Sequence, residues 1–156
     1  MNKNEKISKH FTLGELIFSS TASRKGIDNT PSPEIAENLK RIANEILEPI
    51  RTHYGVPFRP NSGYRCPTLN SAIGGSSKSQ HCKGEAVDVE VPGVSNYDLA
   101  KWVTENLAHD QVILENYTSG EPTSGWVHVS LKPAGEENRK MVLTYSNKTY
   151  TNGLHA

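Results

Sequence analysis

Two short stretches of the chain alternate with a period of two, and nothing else in the sequence constrains the fold as tightly. In Ala86-Val87-Asp88-Val89-Glu90-Val91 valine takes every second position, and it does so again in Trp126-Val127-His128-Val129-Ser130. Successive side chains of a β-strand point to opposite faces, so each stretch reads as a strand with a valine face for the core. The other face carries Asp88 in the first strand and His128 in the second. If both valine faces pack on one core, Asp88 and His128 emerge on the same side of one sheet. His81 lies upstream of Asp88, and Gly84 between them argues for a loop running into the strand rather than a helix. Two imidazoles and a carboxylate, with a fourth position left to water, are the donor set of a hydrolytic zinc site. His81, Asp88 and His128 are therefore the candidate metal ligands, with Zn2+ as the cofactor.

The remaining pattern predicts helices first and strands later. Ser32 is a plausible N-cap with Pro33 at the first helical position and Glu34 in the first turn. Ile35, Leu39, Ile42, Ile46 and Ile50 then recur at three- and four-residue steps, Pro49 should kink or tighten the last turns, and Gly55 is the expected stop. A second helix is expected from Ser95 to Leu107, with a stripe of Leu99, Trp102, Val103 and Leu107. Phe11 to Phe18 reads as a short helix or an irregular docking element. A Ser/Thr/Gly-containing stretch, Ser19 to Thr30, follows it, and Pro57 to Pro60, Asn61-Ser62-Gly63 and Gly74 to Ser79 read as loops. Further strands are expected at Gln111 to Glu115 and near Met141 to Tyr145. The sum is an α+β fold, with helices packed on a small antiparallel sheet that carries the metal site.

Residues 1–156 are expected to form a single domain, which is enough chain to bury a core unaided. Lys+Arg and Asp+Glu both count 17, so the formal net charge is zero and neither nucleic acid nor an anionic membrane is indicated as the main partner. The apolar runs are too short to span a bilayer. The N-terminal Met1-Asn2-Lys3-Asn4-Glu5-Lys6 is polar and lacks a following apolar core, so no Sec signal peptide is expected. The expected location is the host cytoplasm until lysis, or a virion, and the expected state is a monomer. His10, His53, His109 and His155 read as ordinary structural or solvent-facing histidines.

Three segments resemble a known family. Ser79-Gln80-His81-Cys82-Lys83-Gly84-Glu85-Ala86-Val87-Asp88 is similar to the S-x-H-x-x-G-x-A-x-D signature of zinc D-Ala-D-Ala carboxypeptidases. Gly125-Trp126-Val127-His128-Val129-Ser130 resembles the segment that supplies their third ligand, and Ser62-Gly63-Tyr64-Arg65 resembles the S-x-x-R that precedes the signature. The likeness runs from about Phe11 to Leu131 and is greatest to the short, phage-encoded members. It implies the fold shared by hedgehog signalling domains and D,D-peptidases. It also implies a metallopeptidase acting on peptidoglycan stem or cross-bridge peptides, of carboxypeptidase or endopeptidase type, such as a phage endolysin or a virion-associated enzyme. A non-catalytic, zinc-containing cell-wall or protein-binding module of the same fold is the alternative.

By its place in the family pattern Arg65 is either the cation that stabilises the oxyanion or a clamp for a substrate carboxylate. Several members carry an acid three residues before the last ligand, where this chain has Gly125. Strand parity offers Glu115 as the general base in its stead, opposite Trp126 in an antiparallel pair. Glu121, in the loop between the two strands, is the rival. Ser79, Gln80 and Trp126 are candidates for contact with substrate, although Ser79 could equally be a turn-forming serine and Trp126 a packing residue. Cys66 follows Arg65 and Cys82 follows His81, so the two thiols are either a disulfide or a pair of small buried residues.

Overall fold

The computed structural model describes residues 2–156. The chain begins with α1 (Leu13–Ile17), where Thr12 and Glu15 form a reciprocal capping box, and α2 (Ser20–Lys25), capped by Ser19 and stopped at Gly26. Neither element is longer than two turns. Their stability comes from burial of Leu13, Leu16, Ile17 and Ala22. α2 lies in the Ser/Thr/Gly-containing stretch, where a helix this short has no room for a periodic stripe.

The long helix expected after Ser32 is present in three consecutive segments: α3 (Pro33–Ile42), a π-turn (Ala43–Leu47) and α4 (Glu48–Tyr54). Ser32 caps it and Gly55, in the left-handed region, ends it. Pro49 has no N–H to donate to the preceding turn, and its ring would clash there. The π-turn directly before it widens the helix and absorbs both defects. Leu39, Ile42, Ala43, Ile46, Leu47 and Ile50 are all essentially sealed from solvent.

A short α5 (Pro67–Ala72), with Cys66 at its N-cap and proline at its first position, fills a region to which no element was assigned from the sequence. A 3-10 turn (Gln80–Lys83) then leads through Gly84 into β1 (Ala86–Val89). Gly84 has a φ of +72°, and a Cβ there would press on Ile35 and Leu39 of α3, so this close approach of loop to helix requires glycine. After β1 come α6 (Asn96–Asn106), capped by Ser95 as expected, β2 (Gln111–Glu115), β3 (Trp126–Ser130), β4 (Met141–Ser146) and β5 (Thr149–Asn152).

The strands form one sheet in the order β1-β3-β2-β4-β5. The expectation of an antiparallel sheet holds for β1–β3, β2–β3 and β4–β5, but β4 joins β2 in parallel. The reason is the use of edges. Both sides of β3 are taken, so the chain leaving Ser130 crosses the start of β2 and takes its free side. Met141 N–H donates to the Asp110 carbonyl at 2.8 Å and fixes that crossing.

The valine faces lie on one core. Val87, Val89, Val112, Leu114, Val127 and Val129 are completely buried and pack in the same cluster as Leu99, Ala100 and Val103 of α6 and the apolar stripe of α3–α4. The opposite face is left for a cleft. Among the described residues no helix is long and apolar enough to cross a membrane.

Candidate metal centre

Register, rather than parity alone, brings the polar residues together. Asp88 of β1 pairs directly with His128 of β3, and His128 pairs on its other side with Ile113 of β2. One step along the strands, Trp126, Glu115 and Tyr145 form a second row across β3, β2 and β4, continued by Tyr150 of β5. His81 reaches the first row from the 3-10 turn. Ser79 Oγ accepts from the His81 N–H at 3.2 Å, and a backbone bond from Arg65 N–H to the His81 carbonyl holds the turn against the Ser62–Arg65 segment.

The ligating atoms of His81, Asp88 and His128 lie within 4.8 Å of one another, and all three residues are buried. His128 Nδ1 is 3.1 Å from Asp88 Oδ1, and His81 Nε2 is 3.3 Å from the same oxygen. On its far side His81 Nδ1 sits 2.7 Å from the Gly63 carbonyl oxygen, which can only accept. Nδ1 therefore carries the hydrogen, and the neutral ring turns the Nε2 lone pair toward Asp88. A lone pair facing a carboxylate oxygen calls for a cation between them. Burial pushes the His81 pKa down, only partly offset by Asp88, so a proton is disfavoured in that role. Burial would raise Asp88, but the neighbouring His128 and His81 rings outweigh it and hold the carboxyl well below the usual range. The residues thus fit a divalent ion: two imidazoles and one ionised carboxylate, buried and already converged.

The cleft over these residues has a volume of about 730 Å³. Every predicted site residue borders it: Arg65, Ser79, Gln80, His81, Asp88, Glu115, Trp126 and His128. Glu115 Oε2 accepts from Trp126 Nε1 at 2.8 Å, so the indole orients the carboxyl as well as walling the cleft. Burial pushes the Glu115 pKa up and the Asp88 charge adds to this, against the pull of His128 and the Trp126 hydrogen bond. Arg65 Nη2 lies 3.4 Å from Ser79 Oγ, while its buried Nε finds no partner among the described residues. The guanidinium is thus held beside the metal residues with donor capacity to spare. Gln80 does not point freely at substrate. Its Nε2 donates to Asp110 Oδ2 at 3.1 Å.

The rival base, Glu121, is exposed at a surface turn and does not border the cleft. Gly125 has its own reason to differ from its counterparts. Its φ is +66°, and a Cβ there would overlap the Glu115 carbonyl oxygen. The tight return into β3 that pairs Glu115 with Trp126 excludes an acidic side chain at this position. Cys66 and Cys82 are free thiols, and Cys66 Sγ instead faces the Leu69 N–H at the start of α5. No bridge is needed there, because Asn29 already ties the segment down through the Ile17 and Tyr64 carbonyls and the Cys66 N–H.

The remaining histidines have local partners. His10 pairs with Glu48, His53 stacks on Trp102, His109 meets the Leu107 carbonyl and His155 that of Asn152. Sequence reasoning missed several cleft residues, notably Lys78, Ile113, Arg139, Tyr145 and Tyr150. Tyr145 could have been found by extending the alternation of Met141, Leu143 and Tyr145. Tyr150 could not, because β5 is exposed along its length and carries no burial pattern.

Comparison with curated proteins finds no match. The family model described as Peptidase M15 matches residues 9–130, a span that contains α1, the 3-10 turn, β1, β2 and β3 and hence all three candidate ligands. The chain belongs to the Peptidase M15 family, that of the zinc D-Ala-D-Ala carboxypeptidases.

Proposed function

We propose that this chain is a zinc-dependent peptidase that hydrolyses amide bonds in the peptide part of bacterial peptidoglycan. The observation that carries the reading is the convergence of two imidazoles and a carboxylate, with a buried glutamate and an arginine, on one cleft. Zinc held by His81, Asp88 and His128 would supply a water of lowered pKa and polarise the scissile carbonyl.

The chain's own groups divide the rest of the reaction. Glu115 takes the proton released as the water attacks. Trp126 occupies its Oε2 and leaves Oε1 open, since nothing among the described residues donates to that atom. A carboxyl raised by burial is a better proton acceptor than one in water, and can return the proton to the leaving amine. Arg65, with its unpartnered Nε, faces the developing oxyanion. Ser79 keeps that guanidinium and the His81 turn in place. Ile113 keeps the row beside His128 apolar.

The resemblance of the Ser79–Asp88 signature to short phage-encoded members supports a lytic enzyme released into the wall or carried by a particle. A small chain of zero formal net charge supports a monomer. Gly125, in place of an acid, does not favour a non-catalytic module, because the overlap with the Glu115 carbonyl oxygen is sufficient reason for that glycine. The test is incubation of purified murein with the zinc-loaded chain, followed by mass spectrometry of the soluble fragments. New amino and carboxyl ends that vanish with a chelator are expected, and they report the bond that is cut. Intact stem peptides after exhaustive incubation with zinc-loaded protein would remove the enzyme reading in favour of the binding module.

A further inference from the structure

We propose that Arg139 forms a subsite for a free carboxylate of the substrate, one or two residues from the bond that is cut. The inference rests on reading the cleft as a peptidase site. It adds a recognition element from the part of the chain that follows residue 130, beyond the family match.

Arg139 sits on the crossing that carries the chain from β3 to β4. Asp110, whose side chain is completely buried, binds one edge of its guanidinium: Nε lies 3.1 and 3.2 Å from the two carboxylate oxygens, and Nη2 is 2.7 Å from Oδ2. The Arg139 N–H also donates to Oδ1 at 2.8 Å, and Gln80 Nε2 to Oδ2 at 3.1 Å. Asp110 therefore spends its acceptor capacity on fixing this arginine and on tying it to the turn that carries His81. The second edge of the guanidinium remains. Among the described residues nothing accepts from Nη1, the side chain is 47 % exposed, and it borders the cleft.

A planar fork held along one edge presents the other without further loss of side-chain freedom, which is the preorganisation that carboxylate recognition requires. The cleft favours an anion in other ways. Arg65 and Lys78 also border it, while Asp88 is engaged by the two histidines and one Glu115 oxygen by Trp126. The position sets the reach. Arg139 enters next to the Gln111–Met141 pair, and the His128–Ile113 row lies two residues further along the strand, ~7 Å away. That interval corresponds to one or two residues of extended peptide.

A carboxylate in that place comes either from the C-terminus of the substrate or from an internal acidic residue of the stem. The test uses a synthetic stem peptide in three forms: free, amidated at its C-terminus, and amidated at its internal acid. Zinc-loaded wild-type, R139Q and R139K chains are compared by kcat/KM for cleavage and by titration calorimetry for binding, with melting temperatures as the control for folding. The wild type is expected to prefer the free peptide to one amide by about 10- to 100-fold. Which amide is the poor substrate identifies the source of the carboxylate. R139Q should bring that ratio toward one, and R139K should retain part of it. A wild type indifferent to both amides, or an R139Q chain weakened equally toward all three peptides, would overturn the subsite. Carboxylate-dependent binding that R139Q abolishes, without cleavage by the wild type, would support the subsite and overturn the peptidase reading alone.

Discussion

On the inner face of the sheet Val87, Val89, Val112, Leu114, Val127 and Val129 are sealed within hydrocarbon. On the outer face, one residue away in the same strands, Asp88, Ile113, Glu115, Trp126 and His128 border a cleft. The two faces share a backbone and a register, yet they do opposite thermodynamic work. Each inner side chain contributes about 1.5–3 kcal/mol by leaving water. The outer face buries a carboxylate and two imidazoles, a cost repaid only by mutual hydrogen bonding and by a cation. One face holds the fold and the other uses it.

The sharpest way to break this comparison is to change an outer residue and look for damage to the fold. Asp88→Ala should reduce bound zinc from stoichiometric to trace and murein cleavage to the chelated background. The metal-free chain should still fold but with a lower melting temperature, because the ionised Asp88 carboxyl is stabilising at neutral pH and its loss leaves His81 and His128 without their partner. A metal-free chain that fails to fold would mean that the outer face is structural after all.

Next in size is the outer face without its metal ligands touched. Glu115→Gln should keep zinc and fold but lower kcat by about 10²- to 10⁴-fold. In the wild type, activity should rise with pH through a limb set by Glu115. Because burial raises that carboxyl, the limb should lie above the ordinary glutamate value of 4.5 and should be absent from the residual activity of Glu115→Gln. A limb at or below 4.5 would mean that another group is the base.

Where the two faces meet in the turn before β3, both properties should suffer. Gly125→Asp places the acid found in some relatives into a left-handed position against the Glu115 carbonyl oxygen. It should cost about 2–4 kcal/mol in denaturant unfolding and should not raise activity. A stable, more active variant would show that this turn adapts and that residue 125 is a functional position.

The smallest effect is expected from the inner face alone. Val129→Ala should cost about 1.5–3 kcal/mol of stability and leave zinc stoichiometry intact. A loss of zinc without a loss of stability would break the division between the faces.

Much of the site was legible because strand periodicity is a local property. Alternating valines assign each neighbour to a face whatever the strand pairs with, so Asp88, His128 and Glu115 could be placed on one side before any pairing was known. The three motifs then reinforced His81 and supplied Arg65. Arg139, Tyr145 and Tyr150 were not legible as cleft residues. Their places depend on β4 running parallel to β2, which follows from competition among strands for free edges rather than from anything near Arg139 in the chain. The short α2 and α5 escaped notice because elements of six residues are held by their surroundings.

The sequence by itself therefore determined the helices with a full apolar stripe, the faces of the strands, the donor set of the candidate metal site and the family. Side-chain chemistry and period fix these within a single element. Only the tertiary structure decided that Asp88 pairs with His128, that Gly63 fixes the tautomer of His81, that Asp110 holds Arg139 and that Glu121 stays at the surface. Each of these joins or separates parts of the chain that only packing brings together, and no local pattern encodes which distant partner a buried polar group will find.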